Sequence, residues 1–384
     1  MAHILMAGVG AHGHTNPHLP VIAELVDRGH RVSWSIPASF AEAVSDTGAT
    51  PLVVDSVVPD ETKGEQWPAD PVAGMSIFLD DAIHVFPQIE SRLAGDLPDV
   101  VLYDIGGYPG RALAERHGIP LVQLSPSMVA WEGFEHDMAE SLTFRVTPEY
   151  AAYQEQFASW LAELGIDLTP DEFNGRPPRC IVLIPKVMQP NADRVDRSVY
   201  TFVGPALDRR TGEWPASRKP LVLVSLGSNY TKQPAFYRAC AEAFAPLGWR
   251  VVIAIGNYVS PEEIGDIPPA VELHRWVPQV AVLGVASAFV THAGSGGCSE
   301  GLYQGVPMIA VPQAVDQFSN AALLESLGVG KYLSQEEASP ETLRAALLEL
   351  TGSPAVAARC AELRDEVRSE GGAAGAADLI ESLI

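Results

Sequence analysis

Short apolar runs of strand length alternate with segments of helical periodicity along most of the chain, and this alternation constrains the fold more than any other feature. In the first half the apolar runs cover residues 3–9, 31–36, 51–55, 99–103, 120–124, 180–185 and 199–203. Runs without polar alternation are typical of parallel strands that helices cover on both sides. The pattern therefore predicts an α/β fold with a doubly wound parallel sheet.

The same pattern restarts in the second half, with predicted strands over residues 221–225, 249–255, 270–274, 286–290 and 307–311. Between the halves, residues 207–220 combine Gly, Pro, Ser and charged residues without periodicity, which predicts a linker. We therefore predict an N-terminal domain over 1–206 and a C-terminal domain over 221–368. The tail over residues 354–384 is helical in pattern, and the GGAAGAA run at 371–377 interrupts this pattern and predicts a bend. Residues 369–384 are the predicted C-terminal helix.

Two long segments, 56–95 and 127–175, interrupt the alternation and give poor strand signals. Their large aromatic residues include Trp67, Phe78, Trp131, Phe134, Phe144 and Trp160. Insertions of this size in an α/β domain often form a ligand-binding surface. The alternative is that these aromatic side chains only pack helices against each other, and the sequence leaves both interpretations open.

The composition excludes several classes of protein. The 384 residues are 47% hydrophobic, which is enough for two domains with cores of their own. The net charge of −23 argues against nucleic acid as a partner, because phosphate backbones are bound through basic surface. The chain opens without a basic n-region and has no apolar run of membrane-spanning length, so we expect a cytoplasmic protein with no membrane span. Its four cysteines are far apart, and we expect them to be reduced.

The stretch from Trp276 to Gln317 has the layout of an anion-binding site. A short apolar strand at 286–290 leads directly into THAGSGGCSEG at 291–301, a Gly/Ser-rich turn that opens an amphipathic segment. Glycines let a ligand approach the backbone, and the free N–H groups and dipole of a helix start favour negative charge. We expect a diphosphate here, bound through local N–H groups despite the negative charge of the whole chain.

Side chains of the same stretch can contact the groups attached to such a diphosphate. Trp276 offers a flat face to a base ring, and Glu300 can accept from ribose hydroxyls. The predicted ligand-binding residues are Ser228, Trp276, Val277, Gln279, His292, Gly294, Ser295, Gly296, Gly297, Glu300, Asp316 and Gln317. Alternative roles stay open: Trp276 as a core residue, Glu300 as solvated surface, and Asp316 as a helix N-cap.

The first predicted strand ends in GVGAHGHTNP, where Gly8, Gly10 and Gly13 have the G-x-G-x-x-G spacing of a dinucleotide-binding turn. This spacing alone favours an NAD-dependent oxidoreductase. One requirement fails, because the second strand, HRVSWSIP, has no acidic residue near its C-terminal end to hold a ribose. Two histidines in the turn are also unusual for a pyrophosphate cradle, so this interpretation is a remote alternative.

His14 in the same turn is a candidate general base. It follows a parallel strand, at the edge where open α/β sheets bind ligands, and an unperturbed imidazole with a pKa of ~6.5 is mostly neutral at pH 7. Asp104, at the end of VVLYD, is the candidate partner that fixes the tautomer and stabilises the imidazolium. His12 competes for the role of base, and Asp104 has the alternative role of a helix N-cap.

These motifs resemble the nucleotide-sugar signature of the inverting, UDP-sugar-dependent glycosyltransferases of the GT-B type. WVPQ, THAG, Glu300, GVP and the final DQ occur in the family's order, and the resemblance extends over nearly the whole chain. The AHGHTNPHLP opening and IAVPQAVDQ resemble the bacterial macrolide glycosyltransferases most. Plant members have a tryptophan at the Ser295 position and an asparagine at the Gly296 position, so the plant pattern is met only in part.

The resemblance implies two Rossmann-like domains that face each other across a cleft, with the last helix, 369–384, crossing back to the N-terminal domain. It also implies that His14 rather than His12 is the base, with Asp104 as its partner. One base suits an inverting transfer, because no covalent enzyme intermediate is needed.

On this resemblance, His292, the N–H groups of Gly294–Gly297 and Ser228 stabilise the leaving diphosphate. The sequence contains no D-x-D motif, and its histidines lack metal-ligand spacing. We therefore expect neither a catalytic metal nor a permanently bound cofactor.

The expected reaction is transfer of glucose from UDP-glucose to a hydroxyl of a hydrophobic natural product, either a macrolide antibiotic, as inactivation or self-resistance, or a polyphenol. Asp316 and Gln317 favour a fully hydroxylated hexose, because a deoxysugar would leave such groups unpaired. The alternatives are a dTDP-deoxysugar-dependent glycosyltransferase of antibiotic biosynthesis, the NAD-dependent oxidoreductase, and a non-catalytic nucleotide-sugar-binding protein. A monomer and a homodimer are both compatible with the sequence.

Overall fold

The chain divides into two compact units, each built on one parallel sheet. The computed structural model describes residues 1–60, 63, 65, 67–207 and 213–384. Unit 1 comprises Met1–Ala206 and Gly371–Ile384, and unit 2 comprises Leu207–Glu370. Within the predicted linker 207–220, residues 208–212 lie outside the described part of the chain.

Unit 1 contains a seven-stranded sheet in which every neighbouring pair of strands is parallel. Its strands are β1 His3–Ala7, β2 Arg31–Pro37, β3 Thr50–Val54, β4 Val100–Asp104, β5 Leu121–Ser125, β6 Cys180–Val182 and β7 Tyr200–Phe202. The strand order is β3-β2-β1-β4-β5-β6-β7. The predicted doubly wound sheet is confirmed, and each predicted strand lies within a few residues of an observed one.

Helices cover both faces of this sheet. They are α1 His12–Thr15, α2 Leu19–Asp27, α3 Ala41–Ser45, α4 Pro71–Leu93, α5 Tyr108–His117, α6 Phe134–Asp137, α7 Pro148–Glu163 and α8 Pro170–Gly175. On one face Ile4, Met6 and Trp34 pack against α2 and α3. On the other face Leu5 and Val101 pack against α4, α5, α7 and α8. Alternate residues of one strand therefore enter two different cores, as a buried parallel strand requires.

The two segments that interrupt the sequence pattern are mostly helical layers of this sheet. Residues 71–93 form the long helix α4, and 148–163 form α7. Trp160 lies in the core between α4, α5, α7 and α8, so for this residue the packing interpretation holds. Trp67 and Phe78 instead belong to a small cluster with Val9, Ala11 and Val58.

Unit 2 repeats the architecture with six parallel strands. These are β8 Leu221–Ser225, β9 Arg250–Ala254, β10 Val271–His274, β11 Ala288–Thr291, β12 Met308–Ala310 and β13 Gly330–Tyr332, in the order β10-β9-β8-β11-β12-β13. The helices are α9 Pro234–Phe244, α10 Pro261–Ile264, α11 Gln279–Leu283, α12 Ser295–Gln304, α13 Gln317–Ser326, α14 Pro340–Gly352 and α15 Pro354–Arg368. Strand β13 was not predicted, because three residues with a glycine and a lysine give no apolar signal.

The last helix, α16 Gly372–Glu381, belongs to unit 1. The helical conformation is interrupted between α15 and α16 at Gly371, which has a φ of 115°. The GGAAGAA run was predicted to interrupt the helical tail, and the interruption lies at its first residue, Gly371, whereas residues 372–377 are helical. Its small side chains let α16 pack closely on α2, with Ile380 fully buried in the core beside Ile22.

Among the described residues, none of the helices is long and apolar enough to cross a membrane.

We predict that Ile380→Ala destabilises unit 1 by about 2–5 kcal/mol, because it removes a fully buried side chain and leaves a cavity. Urea unfolding measures the loss. The matched control is Ile384→Ala, in the same terminal segment but with 49% of the residue exposed, for which we expect a change within about 0.5 kcal/mol. Equal effects of the two substitutions would contradict the docking of α16.

Candidate active site

Two of the predicted catalytic residues meet at the point where the strand order of unit 1 reverses. From β1 the chain goes to β2 and β3 on one side, and later returns to β4 on the other side of β1. Open α/β sheets bind ligands at the carboxyl ends of the strands that flank such a switch point. His14 follows β1 and Asp104 ends β4, so the topology brings together two residues that are 90 positions apart.

The imidazole of His14 is hydrogen-bonded to the carboxylate of Asp104, with 2.8 Å between Nδ1 and Oδ1. The Asp104 side chain is fully buried, whereas 24% of the His14 side chain is exposed. Burial by itself would raise the pKa of Asp104, but His14, His18 and the Gly106 N–H stabilise the carboxylate, and its pKa lies below the usual value. An ionised Asp104 accepts from the Nδ1–H of His14 and leaves Nε2 as the atom that can take a proton.

The backbone around His14 is held by short local contacts. Thr15 is buried and donates from its hydroxyl to the carbonyl of Val9, at 2.9 Å. The N–H groups of His14 and Thr15 both donate to Ala11, so the turn after β1 is one tight helical turn. The ring of His12 packs against Phe40, with 5.0 Å between centroids. Of the two candidate bases, His14 is the one placed beside Asp104.

The glycines of the same turn contact protein side chains closely. A Cβ atom on Gly8 would lie 2.4 Å from the indole nitrogen of Trp34, and one on Gly10 would lie 2.3 Å from Pro37. Both partners belong to β2, so the two glycines allow the turn to pack on the neighbouring strand. This packing accounts for the G-x-G spacing without a dinucleotide.

An aromatic patch borders His14. The ring centroids of His14 and Phe78 are 6.3 Å apart, and those of Phe78 and Trp67 are 5.1 Å apart. Phe78 and Trp67 are partly buried against Val9 and Ala11 of the turn after β1. The interrupting segment before β4 therefore supplies an apolar surface next to His14.

In unit 2 the equivalent switch point lies between β8 and β11. Ser228 follows β8 and His292 follows β11, and both are partly exposed. The imidazole of His292 lies between two glycines, because a Cβ on Gly227 would be 2.8 Å from Nε2 and one on Gly294 would be 2.5 Å from it. Although part of the residue is exposed, the ring nitrogen Nδ1 of His292 is buried, and burial of the ring lowers the pKa of His292 to about 4. At neutral pH this side chain is therefore a neutral donor rather than a cation.

The turn after β11 opens helix α12 as predicted. Gly294 is its N-cap and Ser295 its first residue. The residue before them, Ala293, has a φ of 63°, a left-handed conformation that few residues other than glycine adopt. Such local strain is commonly retained where a turn must present its backbone to a ligand. The first N–H groups of α12 are the groups that the sequence analysis predicted to bind an anion.

A hydrogen-bond network joins this turn to the segment after β12. Asp316 Oδ2 accepts from the hydroxyl of Ser295 and from the amide of Asn320, both at 3.1 Å. The Asn320 amide also donates to the carbonyl of Ala293, at 3.0 Å. Asp316 occupies the N-cap position of α13, but its side chain makes no capping hydrogen bond. Asn320 was missed by the sequence analysis, although its position four residues after Asp316 on a helix was the available signal.

The remaining predicted residues differ in their surroundings. Gln279 donates to Glu300 at 2.6 Å, and Glu300 is buried rather than solvated. The side-chain oxygen of Gln317 accepts from the N–H groups of residues 313 and 314, which gives this residue a structural task. Trp276 is 58% exposed and is not a core residue, whereas the adjacent Val277 is buried.

Among the described residues, no group of three or more His, Cys, Asp and Glu side chains is arranged to hold a metal ion.

Comparison with known proteins identifies the family of the chain. Residues 241–383 match the family model described as erythromycin biosynthesis protein CIII-like, C-terminal domain. The chain is 50% identical to the oleandomycin glycosyltransferase of Streptomyces antibioticus, over 99% of this chain and 90% of the relative. It is 34% identical to the NDP-glycosyltransferase YjiC of Bacillus licheniformis, over 100% of this chain and 98% of the relative. The crystal structure of the kitacinnamycin glycosyltransferase superimposes with a TM-score of 0.91 and is 43% identical in sequence. The match covers 100% of this chain and 99% of that chain.

Two parallel-sheet α/β domains of this kind are the architecture of GT-B glycosyltransferases. The chain belongs to the macrolide and natural-product glycosyltransferase family. Membership in this family leaves the oxidoreductase alternative without support.

We predict opposite effects on stability for two glycines of the turn after β11. Gly294→Ala should destabilise unit 2 by about 1–3 kcal/mol, because the new Cβ would overlap the His292 ring. Gly296→Ala meets no atom within 4 Å and should be neutral or stabilising by up to about 1 kcal/mol. Thermal unfolding of both variants gives the comparison. Adding His292→Ala should relieve the penalty of Gly294→Ala, and an unchanged penalty in that double variant would reject the proposed overlap.

Proposed function

We propose that this glycosyltransferase moves glucose from UDP-glucose to a hydroxyl of a hydrophobic natural product, a macrolide antibiotic or a polyphenol, with inversion at the anomeric carbon and without a metal ion. A macrolide acceptor would make the reaction an inactivation or self-resistance step. The hydrogen bond between His14 and Asp104 at the switch point of unit 1 carries the proposal.

Unit 1 supplies the base in this mechanism. Nε2 of His14 takes the proton of the acceptor hydroxyl while the oxygen attacks the anomeric carbon. The imidazolium that forms is stabilised by Asp104, whose pKa lies below the usual value, so the carboxylate stays ionised at neutral pH. A single attacking oxygen, activated by one base, gives inversion without an enzyme-bound intermediate.

Unit 2 supplies the groups that stabilise the leaving diphosphate. The N–H groups at the start of α12, the neutral His292 and the Ser228 hydroxyl are donors fixed in position before the reaction. Fixed donors stabilise developing negative charge without reorganisation, which suits a chain whose net charge of −23 repels the diphosphate at long range. On this proposal Trp276 stacks on the nucleobase of the donor, and the Gln279–Glu300 pair accepts from the ribose hydroxyls.

The environment of Asp316 supports a hydroxylated sugar. Ser295 and Asn320 hold its Oδ2 atom in place, so the carboxylate has a defined orientation. A carboxylate oriented in this way accepts well from sugar hydroxyls, and a deoxysugar would make fewer such bonds. Gln317 contributes through Nε2 on this proposal, because its oxygen is bonded to the backbone.

The patch of Phe78 and Trp67 beside His14 supports a hydrophobic acceptor. An apolar ring system packed on these side chains would leave its hydroxyl near Nε2 of His14. The relatives reported above, named for oleandomycin and kitacinnamycin, make a natural-product acceptor the first class to test.

We predict that His14→Ala lowers kcat for glucosyl transfer about 10²- to 10⁴-fold, the usual contribution of a general base. Its affinity for UDP, measured by calorimetry, should stay unchanged, because His14 lies in unit 1 and the diphosphate donors lie in unit 2. His12→Ala is the matched control and should retain most of the activity. A loss in His12→Ala instead of His14→Ala would reassign the base, and no loss in either would reject base catalysis from this turn.

Donor profiling tests the sugar nucleotide. With a fixed macrolide acceptor, UDP-glucose should give a product heavier by one hexose in mass spectrometry. Asp316→Ala should then raise KM for UDP-glucose, because sugar hydroxyls lose an acceptor. Turnover with dTDP-deoxysugars and none with UDP-glucose would reject the proposed donor in favour of the biosynthetic alternative.

A further inference from the structure

His18 is a buried histidine next to the proposed catalytic pair that the mechanism above does not use. It lies four residues after His14, and its side chain has no exposed surface. It occupies the N-cap position of α2, but its side chain makes no capping hydrogen bond. A buried polar side chain without a local structural task is expected to serve another buried polar group.

The nearest such group is the second oxygen of Asp104. Oδ1 of this carboxylate accepts from His14 Nδ1 and from the Gly106 N–H, both at 2.8 Å. Among the described residues Oδ2 has no hydrogen-bond partner, although it is buried. Nε2 of His18 lies 3.6 Å from Oδ2 and 3.3 Å from the carbonyl oxygen of Leu124.

Burial decides that the His18 ring is neutral, and the two oxygens decide which ring nitrogen carries its proton. Its pKa lies below the usual value, mainly because of burial and partly because of His14, against the opposing effect of Asp104. The neutral ring therefore carries one proton, and a proton on Nε2 faces both oxygens, whereas one on Nδ1 would face neither. Nδ1 has no hydrogen-bond partner among the described residues, as this tautomer requires.

We propose that His18 is a positioning residue whose Nε2–H dipole stabilises the second oxygen of Asp104 and so maintains the carboxylate in the orientation that accepts from His14. This role rests on the proposed function only where it concerns the reaction, because the His14–Asp104–His18 arrangement exists without substrate. The charged or titratable groups that face His18 are Asp104 from β4 and His14 from α1. The Trp34 ring, 6.5 Å away, borders it from β2.

Loss of the His18 N–H should raise the pKa of His14. An N–H near Oδ2 withdraws part of the negative charge that would otherwise act on the imidazolium of His14. Without that N–H, the carboxylate stabilises the imidazolium more strongly, and the pKa of His14 rises. The acid limb of the kcat/KM profile, where the base becomes protonated, then moves to higher pH.

Two substitutions separate the dipole from the packing. His18→Leu removes the N–H at similar volume, and His18→Gln retains an amide N–H near the position of Nε2. We expect His18→Leu to raise the pKa of His14 by about 0.5 unit or more, and His18→Gln to stay within about 0.2 unit of the unsubstituted enzyme. NMR titration of the His14 ring, assigned by the signal lost in His14→Gln, measures both values without any assay of activity.

The outcomes distinguish this proposal from the proposed function. An unchanged His14 pKa in His18→Leu, or equal shifts in both variants, would overturn the role of His18. A shifted pKa with an unshifted acid limb of kcat/KM would uphold His18 and reject His14 as the base. The nitrogen chemical shifts of His18 in the unsubstituted enzyme give a test that needs no folded variant: an Nε2–H tautomer at neutral pH supports the proposal, and an Nδ1–H tautomer overturns it.

Discussion

The buried carboxylate of Asp104 is the group on which the candidate active site of unit 1 depends. A charge without solvent access is costly unless neighbouring groups stabilise it, and here His14 and the Gly106 N–H both donate to Oδ1. The Cβ of Ala7 on β1 would lie only 2.3 Å from a Cβ on Gly110, so α5 packs directly on β1 and draws the ends of β1 and β4 together. The charge of Asp104 therefore lies where the strand order sets β1 beside β4, where Gly110 lets α5 pack on β1, and where His14 can donate to it.

Unit 2 has the same strand topology but a different electrostatic setting. On the proposed function it binds an anion in a protein of strongly negative net charge, through dipoles rather than cations. The ring of His292 lies between Gly227 and Gly294, its burial favours the neutral form, and Gly294 is the N-cap of α12. The left-handed conformation of Ala293 is stabilised by the amide of Asn320, which also orients Asp316.

Much of the fold was predictable, because buried parallel strands and amphipathic helices leave separate periodicities in the sequence. Strand β8 was predicted over the residues that it occupies, 221–225, because it is an almost continuous apolar run. Strand β13 and helix α4 were not predicted. The first is too short and polar to give a signal, and the second contains Pro87 and has its apolar positions diluted by polar ones. In both cases tertiary packing outweighs local preference.

The sequence by itself determined which residue types stand at the carboxyl ends of the strands, because each motif is contiguous: GVGAHGHTNP after β1, VVLYD through β4 and THAGSGG after β11. Only the tertiary structure decided which of these side chains meet. Pairing depends on strand order, and β1 lies beside β4 although 90 residues separate His14 from Asp104. The same holds for Gln279 with Glu300, for Asn320 with Ala293 and for His18 with Asp104. Each contact joins different elements, and local periodicity carries no information about such contacts.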